Sequence, residues 1–221
     1  MADGPRYRAV LLDFRGILVG FRDAEWWARR ACATLGREID PDGVREIERR
    51  LEQTHDLPGF AEDELRVDTS IEANREVTLR RFREVGIDDD LALALYALDF
   101  DPDAWPVYPD AAGVVEEIKA LGCLTALVSD FHVDLRPHLE ANGIALDAYV
   151  ISFEYGFQKP DPRMFKTALE ALGAEAGESL MVGDRASHDG GAADVGIDTL
   201  ILPVRTPFGP RGLDVVLGLL R

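Results

Sequence analysis

The chain has 221 residues with 41 acidic and 24 basic side chains, a net charge of −17 with histidines neutral. That sign argues against nucleic acid and anionic membrane surfaces as partners, while 47 % hydrophobic and 29 % charged residues sit in the ordinary globular range. Two cysteines, Cys32 and Cys123, make neither a disulfide framework nor a metal cluster, and fit free thiols in a reducing cytoplasm.

The first apolar run, Ala9 to Phe14, is far below the ~18 residues of a membrane span, and no cationic leader precedes it, so export is not expected. Within it Ala9-Val10-Leu11-Leu12 reads as a buried parallel strand that delivers Asp13 into a loop at its carboxyl end. From Phe21 to Phe100 the periodicity turns helical, with no convincing strand. Helices are predicted over Ala24 to Leu35, from the Asp40-Pro41 cap onward, over Ser70 to Val85 and over Leu91 to Leu98. Trp26 and Trp27 belong to the buried side of the first of these, and the Arg45 to Glu52 stretch reads as a solvated face with intrahelical pairs. The proline-punctuated segment from Asp101 to Pro109 reads as a return linker.

Beyond Pro109 helices and strands alternate. Helices are predicted over Asp110 to Leu121, Val133 to Ala141, Pro162 to Leu172, shortly after His188, and from Leu213; strands over Leu124 to Val128, Tyr149 to Phe153, Leu180 to Val182 and Thr199 to Leu202. Such alternation means βα units on a parallel sheet, an α/β fold whose ligands bind at the carboxyl ends of the strands. The predicted organisation is an α/β core from residues 1–20 and 101–221 with an inserted helical unit over 21–100.

At those strand ends lie Asp13, then Ser129 and Asp130, then Lys159, then Asp184 with Asp189 shortly after. Singly each is a commonplace cap, turn or loop residue. In this order they suit phosphoryl transfer: a carboxylate can attack phosphorus, hydroxyl and ammonium donors stabilise its oxygens, and Mg²⁺ held by carboxylates offsets repulsion between anions.

Across nearly its whole length the sequence resembles the haloacid dehalogenase-like (HAD) hydrolases, whose four motifs it carries in order. Leu11-Leu12-Asp13-Phe14-Arg15-Gly16-Ile17-Leu18 is similar to the first, Leu127-Val128-Ser129 to the second, Gln158-Lys159-Pro160-Asp161 to the third, and Val182-Gly183-Asp184 followed by Asp189 to the fourth. The resemblance implies a Rossmann-like three-layer core with a helical cap inserted after the first motif. It casts Asp13 as nucleophile, Ser129 and Lys159 as binders of the transferring group, and Mg²⁺ as cofactor held by Asp13, Asp184, Asp189 and the backbone carbonyl of Arg15. Arg15, Ser129, Asp130 and Lys159 are the expected substrate-binding set.

Three departures qualify that expectation. The family's phosphatases carry a second aspartate two residues after the nucleophile, as general acid and base; here that residue is Arg15, which cannot exchange a proton near neutral pH. Arg15 is open to two further roles, pairing with Asp13 or binding a substrate anion. Ile17 replaces a threonine or valine. In the fourth motif either His188 or Asp189 fills the second acidic position, with Asp189 the expected one. The expected function is a cytoplasmic Mg²⁺-dependent phosphatase on a small phosphorylated metabolite, through an aspartyl-phosphate intermediate and with an impaired general acid, acting as monomer or homodimer. The alternatives are a weakly active or inactive binding protein and, third, a haloacid dehalogenase, against which Asp184 argues.

Overall fold

The computed structural model describes residues 5–204 and 208–221, divided into two compact units: residues up to Gly20 with Val107–Arg221, and Phe21–Pro106. The second unit runs to Pro106, so the proline-punctuated segment expected to be return linker lies largely inside it. Its prolines start a short 3₁₀ turn, Pro102–Ala104, in which Asp101 accepts the Asp103 N–H at 3.0 Å.

The first unit is built on one parallel five-stranded sheet: β1 (Ala9–Leu12), β2 (Leu124–Ser129), β3 (Ala148–Ile151), β4 (Ser179–Gly183) and β5 (Asp198–Ile201), in the spatial order β3-β2-β1-β4-β5. β1 is central and wholly buried, which is why its sequence is an unbroken apolar run instead of an alternating one. Strand order reverses between β1 and β4, so the ends of these two strands flank the switch point where such sheets bind ligands. One face of the sheet, with Ala9, Leu11, Ala126, Val128, Val150 and Met181, packs against Met164, Phe165, Ala168 and Leu172. These last four belong to the helix Pro162–Leu172, which is capped by Asp161 and ended by the left-handed Gly173. Helices Ala111–Ala120 and Asp214–Leu220 pack on each other, the former also against β2.

Several elements differ in bounds from expectation, and two of the differences lie beside the strand ends that carry the site. The helix after β2 starts at Arg136 instead of Val133, with Pro137 in its first turn. The third strand stops at Ile151, and Ser152–Tyr155 turns into a short helix ended by left-handed Gly156. At that stop the Ser152 hydroxyl accepts the Phe131 N–H at 3.0 Å, a bond to the segment that follows β2, 21 positions away.

The second unit is helical, with no strand of the sheet among its described residues. Its helices are α1 (Ala24–Thr34), α2 (Pro41–Gln53), α3 (Phe60–Asp63), α4 (Ile71–Glu84) and α5 (Asp89–Ala97). Asp23, Asp40, Ser70 and Asp88 each accept a backbone N–H of the turn they open, which fixes four helix starts from single polar residues. Ala28, Ala31, Cys32, Val44, Ile47, Leu79 and Leu95 form its core, with Trp26 and Trp27 partly buried against it. Arg49 and Arg50 both pair with Glu46 along α2, the intrahelical pairing expected of that stretch.

Candidate active site

The register of the sheet assembles the site. Leu12 is paired with Leu127 on one side and Val182 on the other, so Asp13 emerges beside the ends of β2 and β4, its N–H bonded to the Val182 carbonyl at 3.0 Å. The chain then turns tightly: the Phe14 carbonyl accepts the N–H groups of Leu18 and Val19, and Gly16 adopts a positive φ of 73°. Gly16 also lies so close to Asp184 that a Cβ there would collide with the carboxylate. At Gly183 an added Cβ would strike the Asp189 carboxylate; the missing side chain makes the space in which Asp189 sits.

Lys159 joins these parts. Its Nζ lies 2.9 Å from Asp13 Oδ1 and 2.6 Å from Asp189 Oδ1, and the residue is 2 % exposed. Asp189 is fully buried and commits both oxygens to protein donors: Oδ1 to Lys159, and Oδ2 to the N–H groups of Asp184 and Arg185 at 3.0 and 2.9 Å. Of the two residues weighed for the second acidic position, Asp189 is the one that reaches Lys159, and the His188 ring lies 2.9 Å from the Ser187 hydroxyl. Asp130, expected to touch substrate, holds the Lys159 loop by accepting the Lys159 N–H at 2.8 Å. Ser129, the last residue of β2, is buried beside Ile151 of β3. The Arg15 guanidinium lies over the Phe131 ring at 5.5 Å, and Asp13 forms an ion pair with Lys159.

Carboxylate oxygens of Asp13, Asp184 and Asp189 all fall within 4.8 Å of one another. Three carboxylates around one ammonium leave an excess of negative charge. Burial, opposed by Lys159 but reinforced by Asp189 and Asp184, pushes the Asp13 carboxyl up to about 7. Asp184 is raised as well, by burial first and then by Asp189. Burial opposes the Lys159 ammonium, yet the surrounding carboxylates, Asp13 foremost, outweigh it and hold its pKa above the ordinary value. A site that resists ionising its own carboxylates is one that a divalent cation relieves, and an all-oxygen donor set suits Mg²⁺.

Sequence reasoning missed the backbone supports of this cluster. The glycines at 16 and 183 were visible inside the motifs, but their role as gaps for Asp184 and Asp189 depends on tertiary approach. Buried Arg211, which donates to the Gly16 carbonyl, and Asp110, which anchors it, carried no local signal.

Three comparisons bear on this geometry. A phosphoserine phosphatase of Thermus thermophilus is 39 % identical over 88 residues, 38 % of this chain and 35 % of that protein. The human haloacid dehalogenase-like hydrolase domain-containing protein 3 is 28 % identical over 98 % of this chain and 88 % of its own. The crystal structure of the HAD-hydrolase YfnB from Bacillus subtilis, bound to magnesium, superposes with a TM-score of 0.74 at 21 % identity, covering 98 % of this chain and 99 % of that one. The sequence pattern of the haloacid dehalogenase-like hydrolases matches residues 7–196, and with the strand-end cluster on an α/β sheet it establishes that the chain belongs to that hydrolase family.

Proposed function

We propose that the chain is a Mg²⁺-dependent phosphatase acting on a small phosphorylated metabolite, with Asp13 as nucleophile. The observation that carries the reading is the placement of Asp13 between Lys159, at 2.9 Å, and Asp184, with acidic oxygens within 4.8 Å. Asp13 and Asp184, with the Arg15 backbone carbonyl, would hold the cation. Asp189 stands behind them, its oxygens committed to Lys159 and two backbone amides. When bound, Mg²⁺ supplies positive charge that keeps Asp13 ionised beside an anionic substrate.

In this reading an Asp13 oxygen attacks phosphorus as the ester P–O bond breaks, leaving an aspartyl phosphate, and the departing oxygen keeps the electron pair. The Ser129 hydroxyl and Lys159 ammonium donate to phosphoryl oxygens, where charge builds up. Water then attacks phosphorus, releases inorganic phosphate and restores the Asp13 carboxylate. Neither proton transfer has help from residue 15, because a guanidinium stays protonated. Alcohols that leave poorly must draw their proton from water, so good leaving groups are favoured.

Two buried free cysteines support a role in a reducing cytoplasm, and the net charge of −17 a role away from nucleic acid and anionic membranes; among the described residues no helix is long and apolar enough to cross a membrane. A single panel tests the reading: aryl, acyl and alkyl phosphates with and without Mg²⁺, beside Asp13→Asn. Mg²⁺-dependent turnover that vanishes in the variant is expected. Arg15 favours a second reading, a binding protein for phosphorylated ligands; saturable binding without turnover of any ester would replace the first reading with it.

A further inference from the structure

Arg211 is 2 % exposed, and a guanidinium is among the costliest groups to bury unless its donors are satisfied. Here Nε and Nη2 both donate to backbone carbonyls, in a pattern that spans the site. Nε–H donates to the Gly16 carbonyl, in the turn that carries Asp13 and Arg15, and Nη2 donates to the Leu202 carbonyl at 2.6 Å. Leu202 in turn donates its N–H to the Gly183 carbonyl at 2.8 Å, immediately before Asp184. Gly16 itself abuts the Asp184 carboxylate. One side chain therefore ties the turn after β1 to the strand end that presents Asp184, across the switch point.

The tie has its own anchor. Asp110 accepts the backbone N–H groups of Arg211, Gly212 and Leu213 at 2.6, 2.7 and 3.2 Å. Burial opposes its ionisation, yet those three bonds, with that of its own amide, hold the Asp110 pKa below the ordinary value.

We propose that Arg211 is a positioning residue that sets the separation of Asp13 and Asp184, with Asp110 fixing Arg211 in turn. Its planar fork reaches two diverging carbonyls at once, a geometry that a lysine cannot reproduce. The consequence for Mg²⁺ rests on the phosphatase reading; the consequence for the turn does not.

Two measurements on Arg211→Lys test the proposal separately. The first is amide hydrogen exchange without added metal. The Gly16, Leu18 and Val19 amides are expected to exchange at least ~10-fold faster while those of β1 hold wild-type rates, since only the turn loses its support. The second is calorimetric titration with Mg²⁺, expected to show affinity down about 10-fold, as for other groups that orient metal ligands. Turn exchange at the wild-type rate in the folded variant overturns the proposal, as does acceleration spread evenly over all strands, which marks a purely structural role. If wild-type protein takes up no Mg²⁺, the phosphatase reading falls and exchange alone decides on Arg211. Should Arg211→Lys not fold, Asp110→Asn, which leaves the guanidinium in place and weakens its anchor, is expected to accelerate the same three amides to a smaller degree; wild-type exchange there also overturns the proposal.

Discussion

Lys159 donates to Asp189 across 2.6 Å in a pocket where the two side chains are 2 % and 0 % exposed. The pair is what aims the ammonium at Asp13, because Asp189 is itself fixed by two backbone amides. Asp189→Asn keeps an acceptor for those amides but presents a neutral group to Lys159. Turnover of an aryl phosphate is expected to fall ~10–100-fold, the usual loss when a group orienting the site is changed. Lys159→Met is expected to be far worse for stability, since it leaves two carboxylates buried without their cation; breaking a buried pair costs ~3–5 kcal/mol. Urea unfolding of both variants, with turnover for the first, checks the pair. Equal stability losses would show that Lys159 and Asp189 matter only to one another.

The raised Asp13 carboxyl, at about 7, carries a definite sign for pH. A carboxyl whose folded pKa exceeds its unfolded value takes up protons on folding, so its contribution to stability is present at low pH and is lost as pH rises through the folded pKa. Metal-free protein is therefore expected to lose stability from this group between about pH 4 and 7. Mg²⁺ competes with protons for the same oxygens, so the rise in Tm on adding it should be larger at pH 8 than at pH 5. Thermal melts at both pH values, with and without the cation, decide this. A Mg²⁺ effect independent of pH would place the cation away from Asp13.

Much of this site was legible because strand ends in a parallel sheet are marked twice, by an apolar run and by the polar residue that follows it. Asp13, Ser129 and Asp184 all carried that double mark. The helical unit was legible through its caps, where Asp40-Pro41 and Ser70 act through bonds three residues long. What was not legible depends on contacts between distant segments. Asp130 is expected from its neighbours to bind substrate, and its hold on the backbone N–H of Lys159, 29 positions on, is invisible in them. Arg211 meets Gly16 across 195 positions, and no periodicity encodes that. The early end of β3 at Ile151 likewise comes where the Ser152 hydroxyl meets the Phe131 N–H, 21 positions away.

Gly183 offers a test of packing that is independent of chemistry. Gly183→Ala drives a methyl group into the Asp189 carboxylate, which has no room to retreat because it is fully buried and bonded on both oxygens. Overpacking of this kind costs ~1–3 kcal/mol. Gly177→Ala, where an added Cβ meets nothing within 4 Å, is the matched control, expected to stay within ~0.5 kcal/mol of wild type. Urea midpoints compare the two. A neutral Gly183→Ala would mean that Asp189 can shift, and with it Lys159.

In the phosphatase reading Arg15 stands where an acid would protonate the leaving group; its guanidinium rests over the Phe131 ring at 5.5 Å. If the missing acid limits the reaction, turnover should rise steeply as the leaving alcohol becomes more acidic, because such a group departs without a proton. Arg15→Asp should then raise turnover of alkyl phosphates far more than that of aryl or acyl phosphates, by up to the ~10²–10⁴-fold that positioned acid-base groups supply. Aspartate is shorter than arginine, and the substitution also removes a positive charge that now lowers the Asp184 pKa. That loss strikes every substrate alike, so the ratio of alkyl to aryl turnover isolates the proton-transfer effect. Arg15→Gln provides the complement: it removes the charge without supplying an acid, and it should leave the ratio unchanged. A ratio that stays flat in Arg15→Asp, together with a raised KM in both variants, would assign Arg15 to holding the substrate anion, and would fit a site selected for ligands that carry a second negative group.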